Sequence, residues 1–146
     1  MQTNLNITGQ IEAILVNEDG EIIHREIGPN LVVNAGLAFI TSRMANNATA
    51  VMSHMAVGTS NAAPAAAQTA LQGTELARVT LASTTPSANQ IVFSATFPAG
   101  TGTGSIAECG LFNNSPGGTM LARSTAVTVT KGATDTLIIN WTITAA

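Results

Sequence analysis

A chain of 146 residues, 45% of them hydrophobic, is long enough for one globular core, yet only 9% of its positions carry charge, against roughly a quarter in ordinary soluble domains. The net charge of −3 and five scattered basic residues, Arg25, Arg43, Arg78, Arg123 and Lys131, exclude the clustered Lys/Arg footprint of a nucleic-acid binder. A single cysteine excludes an internal disulfide, and no apolar run approaches the ~20 residues of a membrane span. The N-terminal MQTNLNITGQ lacks the basic, apolar and cleavage regions of a signal peptide, so synthesis and solubility in a cytoplasm are expected. Thr, Ser, Asn, Gln and Ala replace the missing charge. Desolvating hydroxyls and methyls costs far less than desolvating ions, so this surface suits burial inside an assembly.

In chain order, residues 10–27 predict a hairpin: apolar runs at 11–16 and 22–23 flank Glu18-Asp19-Gly20, and Asp-Gly is a strong turn signal. Gly28-Pro29 breaks the pattern. A single helix is expected over about 34–44, with Asn34 as its cap, Leu37, Phe39, Ile40 and Met44 on its apolar face, and Asn46-Asn47 as its end. Residues 54–57 read as a short strand closed by Gly58. The segment Asn61, Ala62, Ala63, Pro64, Ala65, Ala66, Ala67, Gln68, Thr69, Ala70 is low in complexity and reads as an exposed arm or loop.

Five further β-rich runs follow, at 78–83, 91–97, 105–112, 120–129 and 136–144, separated by turn clusters at 85–87, 100–104, 113–118 and 131–132. In the last run Leu137, Ile139, Trp141 and Ile143 alternate with Ile138, Asn140, Thr142 and Thr144, the pattern of a strand with one buried face. The expected fold is mainly β: one domain over residues 1–146, an antiparallel, jelly-roll-like sandwich of about seven to nine strands with one short helix, opened by the hairpin within residues 1–29. Sandwich edges are normally guarded by Lys, Pro or inward charge. Here charge is scarce, so at least one edge is expected to be covered in an oligomer. If residues 113–118 form the hairpin loop, Phe112 faces Thr119 and Glu108 falls opposite Arg123. Such an exposed pair adds a few tenths to ~1 kcal/mol.

Little in the chain points to catalysis. Gly100-Thr101-Gly102-Thr103-Gly104 is followed by a strand and lacks GK[ST], so it is a hairpin connection and not a phosphate loop. His24 and His54 have no second ligand at metal spacing; His54 reads as a hydrogen-bonded structural histidine and His24 as solvated. Cys109 has no nearby helper to lower its pKa and reads as a small core residue. Glu108 has no partner carboxylate, and Glu75 with Arg78 could pair on a helical turn. No catalytic residue, metal site or cofactor is expected. With no Tyr and one Trp placed among core residues, a sugar-stacking surface is also disfavoured.

Several longer stretches carry a resemblance: NLVVNAGLAFITSRM from Asn30, then MSHMAVGTSNAAPAAAQTALQGTELARV, IVFSATFPAGTGTGSIAECGLFN, GGTMLARS and KGATDTLIINWTI. Together, over residues 30–144, they resemble small tailed-phage structural proteins of the tail-fibre-like type, and the particle-attached N-terminal domain of phage tail fibres. Cys109 stands where that pattern usually has Ala or Val. A fibre continues into a shaft and receptor-binding tip, whereas this chain stops at Ala146, so the attachment-type domain is expected alone and the resemblance does not carry host recognition over to it. The resemblance implies a non-enzymatic virion protein, made in a host bacterial cytoplasm. It would act as a tail-fibre-like or baseplate adaptor subunit that packs on copies of itself, as a homotrimer, and on other virion proteins. The alternative is a capsid decoration (cement) protein that binds the major capsid protein; a glycan-binding receptor module ranks below both. Assembly contacts are expected through the arm, Asn61 to Gln68.

Overall fold

The computed structural model describes residues 4–46 and 49–146; residues 1–3 and Asn47, half of the expected helix-ending pair, lie outside the described residues. The opening hairpin consists of β1 (Ile7–Val16) and β2 (Ile22–Pro29). Its turn is set by the Asn17 side chain, which accepts the N–H groups of Asp19 and Glu21, and by Gly20 at φ 82°. The remaining elements are β3 (Leu31–Val32), α1 (Asn34–Arg43), β4 (His54–Gly58), β5 (Glu75–Thr80), β6 (Ser83–Ser87), β7 (Gln90–Phe97), β8 (Gly104–Ile106), β9 (Glu108–Phe112), β10 (Met120–Ser124), β11 (Val129–Lys131) and β12 (Thr136–Ala145).

Two antiparallel five-stranded sheets face each other. The first runs β2-β1-β12-β7-β6 and the second β3-β10-β9-β4-β5, while β8 and β11 form a separate two-stranded ladder. The expectation of a mainly β, antiparallel sandwich with one short helix is borne out. The strands number twelve among the described residues, above the expected seven to nine, because long runs break where the chain changes sheets. Residues 105–112 split at Ala107, and residues 120–129 split after Ser124, so that β8 and β11 can pair with each other. Thr85-Pro86-Ser87, expected as a turn, lies in β6, an edge strand where proline does no damage. Lys131, expected in a turn, ends β11, buried, with its Nζ donating to the Pro98 carbonyl at 3.0 Å.

Between the sheets, alternation decides the core. Leu137, Ile139, Trp141 and Ile143 of β12 pack with Ile11, Ala13 and Leu15 of β1, Phe93, Ala95 and Phe97 of β7, and Met55, Val57 and Leu111 from the opposite sheet. The second sheet is buried on its other face as well. There Ala56, Phe112 and Met120 join Val33, with Ala35 and Leu71 packed against them. A continuous apolar strand such as ECGLF, buried at all five positions, follows from this double covering.

Helix α1 begins at Asn34, but Asn34 is not its cap. Val33 takes that place in an extended conformation without a side-chain bond. The Asn34 N–H, one of the unpaired donors of the first turn, instead donates to the Ala66 carbonyl at 2.8 Å. Of the four apolar residues expected to pack, two do. Leu37 and Met44 are exposed, while Phe39 and Ile40 touch the core and Gly36 is buried against β10. A Cβ at Gly36 would sit 2.1 Å from the Leu121 carbonyl oxygen, so the helix can lie this close only because no side chain is there.

Candidate assembly site

The outer face of the second sheet carries an ion pair that organises the surface above it. Pairing of β9 with β10 sets Met120 opposite Phe112 and Arg123 opposite Gly110, with an irregularity at Leu121. The register that would set Glu108 directly opposite Arg123 is therefore not the one observed. The bulge at Leu121 puts Leu121 and Ala122 together in the inner core and turns Arg123 to the outer face, where Glu108 lies two residues along from Gly110. The two side chains meet diagonally. Arg123 Nε donates to Glu108 Oε2 at 2.9 Å, and Nη2 lies 2.8 Å from the same oxygen, off the donor axis. Both residues are fully buried, not exposed.

What buries them is the loop of residues 59–74, a compact Ω-loop closed by Thr59 N–H to the Thr74 carbonyl (3.2 Å) and by Thr74 N–H to Thr59 Oγ1 (3.0 Å). Glu108 accepts three amides of this loop: Gln72 at 2.8 Å, Gly73 at 2.8 Å and Ser60 at 3.2 Å. Burial pushes the Glu108 carboxyl up, but the amides of Gln72, Gly73 and Ser60 together with Arg123 outweigh it and hold the group below the ordinary carboxylate value. Gly58 makes room, since a Cβ there would lie 2.6 Å from Glu108 Oε1.

The assembly candidates Asn61, Ala62, Ala63, Pro64, Ala65, Ala66, Ala67 and Gln68 form the outer run of this loop. Pro64 and Gln68 are half-buried and the others exposed. The run is not a free arm. Arg123 Nη1 donates to the Ala62 carbonyl (2.7 Å) and to Gln68 Oε1 (3.2 Å), Gln68 bonds back to Ala63 and Ala65, and Ala66 receives the first N–H of α1. The structure thus brings Glu108, Arg123 and the arm, remote in sequence, to one place. Sequence reasoning missed the three loop amides and Leu71. The available signal was one acid and one base, each inside an otherwise apolar strand of a charge-poor chain.

Beside this site Arg78 on β5 stacks 3.8 Å above the Phe112 ring, pairs with Glu75 at 2.7 Å, and donates to the Asn114 and Gly117 carbonyls. The Glu75–Arg78 pair lies on a strand, not on a helical turn. The outer face of the first sheet is open and polar across its centre. Ser94 Oγ donates to Asn140 Oδ1 (2.9 Å), Asn140 Nδ2 to Glu12 Oε1 (3.2 Å), and Arg25 to Glu12 Oε2. Arg25 and Asn140 lower the Glu12 carboxyl below its ordinary value.

Remaining chemistry is sparse. Among the described residues, no group of three or more His, Cys, Asp or Glu could hold a metal ion, and no helix is long and apolar enough to cross a membrane. Cys109 is fully enclosed and burial pushes its thiol up, while His54 Nδ1 bonds Ser53 Oγ at 2.8 Å. Phe93, Phe97, Phe112 and Trp141 are buried and Phe39 is half-buried in an apolar crevice of about 360 Å³ between α1 and the sandwich, so no aromatic platform faces solvent for a sugar ring.

Residues 29–145 match the family model of the phage tail-collar fibre protein, N-terminal. The chain belongs to this family. The resemblance drawn from residues 30–144 is thereby borne out, and the tail-collar fibre domain is a virion component with a structural role in a phage tail fibre. Comparison with curated proteins and with solved structures gave no match for it.

Proposed function

We propose that this tail-collar fibre domain is the docking module of a fibre-like or adaptor subunit, holding it to the tail or baseplate by packing on copies of itself, in trimers, and on neighbouring virion proteins, without catalysis. The observation that carries the reading is the Ω-loop: a surface of small side chains whose backbone is fixed from beneath by the buried Glu108–Arg123 pair. A preordered surface loses little conformational entropy on docking. Alanine-rich relief lets a partner backbone approach closely, and repetition over several copies multiplies modest contacts. Family membership favours the tail over the head, which weighs against capsid decoration.

Deleting the loop is a poor test because it uncovers the ion pair. Adding charge to its exposed crown is better. Ala65→Lys with Ala67→Lys is expected to leave the melting temperature within a few degrees of wild type and to abolish incorporation into particles in a complementation assay. Normal incorporation of that variant removes the loop from the docking surface. Copy number per virion, by quantitative mass spectrometry against the major capsid protein, separates tail from head: a small multiple of three fits the tail, and a ratio near one to the capsid protein fits decoration.

A further inference from the structure

The first sheet ends in two edges of different character. On β6 every residue is exposed, and Pro86 and hydroxyl side chains guard it. The other edge, β2, is eight residues long and, among the described residues, pairs only with β1. Of the seven large hydrophobic residues exposed among the described residues, three lie on it: Ile22 at 63%, Ile23 at 51% and Ile27 at 50%. Its charges offer no guard either. Arg25 is held by Glu12, and Glu26 takes the Thr128 N–H at 2.8 Å and His24 Nε2 at 3.3 Å.

We infer that β2 is an interface between two copies of this chain, joined edge to edge across a two-fold axis into one continuous ten-stranded sheet. The sequence of the strand is self-complementary in the antiparallel sense. With the axis at Arg25, His24 lies opposite Glu26 of the second copy, and Ile23 lies beside Ile27 of the second copy, each contact occurring twice. The two arginines that meet at the axis are like charges, and each arrives already paired with its own Glu12, which offsets part of their repulsion. Pro29, which lacks an N–H, ends the strand and limits the ladder to the residues before it. This contact is made by an edge of the first sheet, whereas the Ω-loop covers the second, and the two come near each other at the Pro29 end of β2, where Pro29 and Pro64 line one crevice. It is compatible with threefold packing elsewhere and does not depend on the docking reading.

The experiment is sedimentation of the full chain over a concentration series, wild type against Ile27→Lys and, separately, Ile23→Lys. Each variant places an ammonium on the exposed edge, and circular dichroism and thermal melting establish that it is folded. The expected result is that both variants sediment at half the wild-type mass, whatever symmetry the rest of the molecule adopts. Equal masses for wild type and folded variants overturn the inference. Hydrogen exchange of the wild type supplies a readout that needs no variant. Protection of β2 amides that rises with protein concentration supports the interface, and protection independent of concentration, across a range in which the mass changes, overturns it.

Discussion

Replacing Glu108 with Gln keeps the shape of the side chain and removes its charge. The substitution leaves the fully buried Arg123 guanidinium without a counter-charge, held by neutral acceptors such as the Ala62 carbonyl and Gln68. The carboxylate accepts four donors, the amides of Gln72, Gly73 and Ser60 and the Arg123 side chain. A carboxamide has one accepting oxygen, and its NH2 group must face at least one of these donors. Breaking a buried pair from one side costs about 3–5 kcal/mol. That is a large share of the roughly 5–15 kcal/mol by which domains are stable, and at this chain length it corresponds to a fall in melting temperature of about 6–20 °C. Urea titration and calorimetry of Glu108→Gln measure it. The double variant Glu108→Gln/Arg123→Met is expected to lose less than the sum of the single changes, because no charge is stranded. A loss below about 1 kcal/mol for Glu108→Gln would refute the argument that the pair fixes the loop.

Three further outcomes follow from the geometry. The folded-state pKa of Glu108 lies below its ordinary value of 4.5, so its contribution is fully present above that value and is lost as pH falls from there through the folded-state pKa; acid unfolding curves should show this loss in wild type and lack most of it in Glu108→Gln. Gly36→Ala sets a Cβ against the Leu121 carbonyl, and the forced retreat of α1 should cost about 1–3 kcal/mol, read by chemical denaturation. Cys109, buried and with its thiol pushed up, should resist a thiol reagent in the native state and react at the rate of global unfolding; fast native labelling contradicts the described packing.

Much of the first sheet was legible because its strands have one wet face. The alternation in β12 and the Asp-Gly turn between β1 and β2 each state their own structure. The second sheet was less legible, since burial on both faces erases alternation, and ECGLF and MLARS give no face to read. The bulge at Leu121 has no local signature, and without it Arg123 points into the wrong layer. The segment around Asn61 to Gln68 was visible as a loop, but its anchoring was not. The contacts of Glu108 and Arg123 with the Ω-loop span 35 to 61 residues of chain, and neither residue announces that a distant loop will close over it. Pro86 misled in the other direction, because a turn residue is harmless on an outermost strand.

The placement of the last strand has a mechanical consequence. β12 runs in the middle of its sheet, in register with β1 from Ile7↔Ala145 to Val16↔Thr136 and with β7 from Leu137↔Phe97 to Thr144↔Gln90. Ladder hydrogen bonds stand perpendicular to the strands. Tension applied at Ala146 along β12 therefore meets both ladders in shear, and many bonds must yield together before the strand slides. Pulling Asn6 and Ala146 apart sideways instead opens the β1–β12 ladder one bond at a time, starting from their mutual pair at 2.6 and 2.8 Å. A domain loaded along its final strand resists as a bolt resists, and loaded across it parts like a zip.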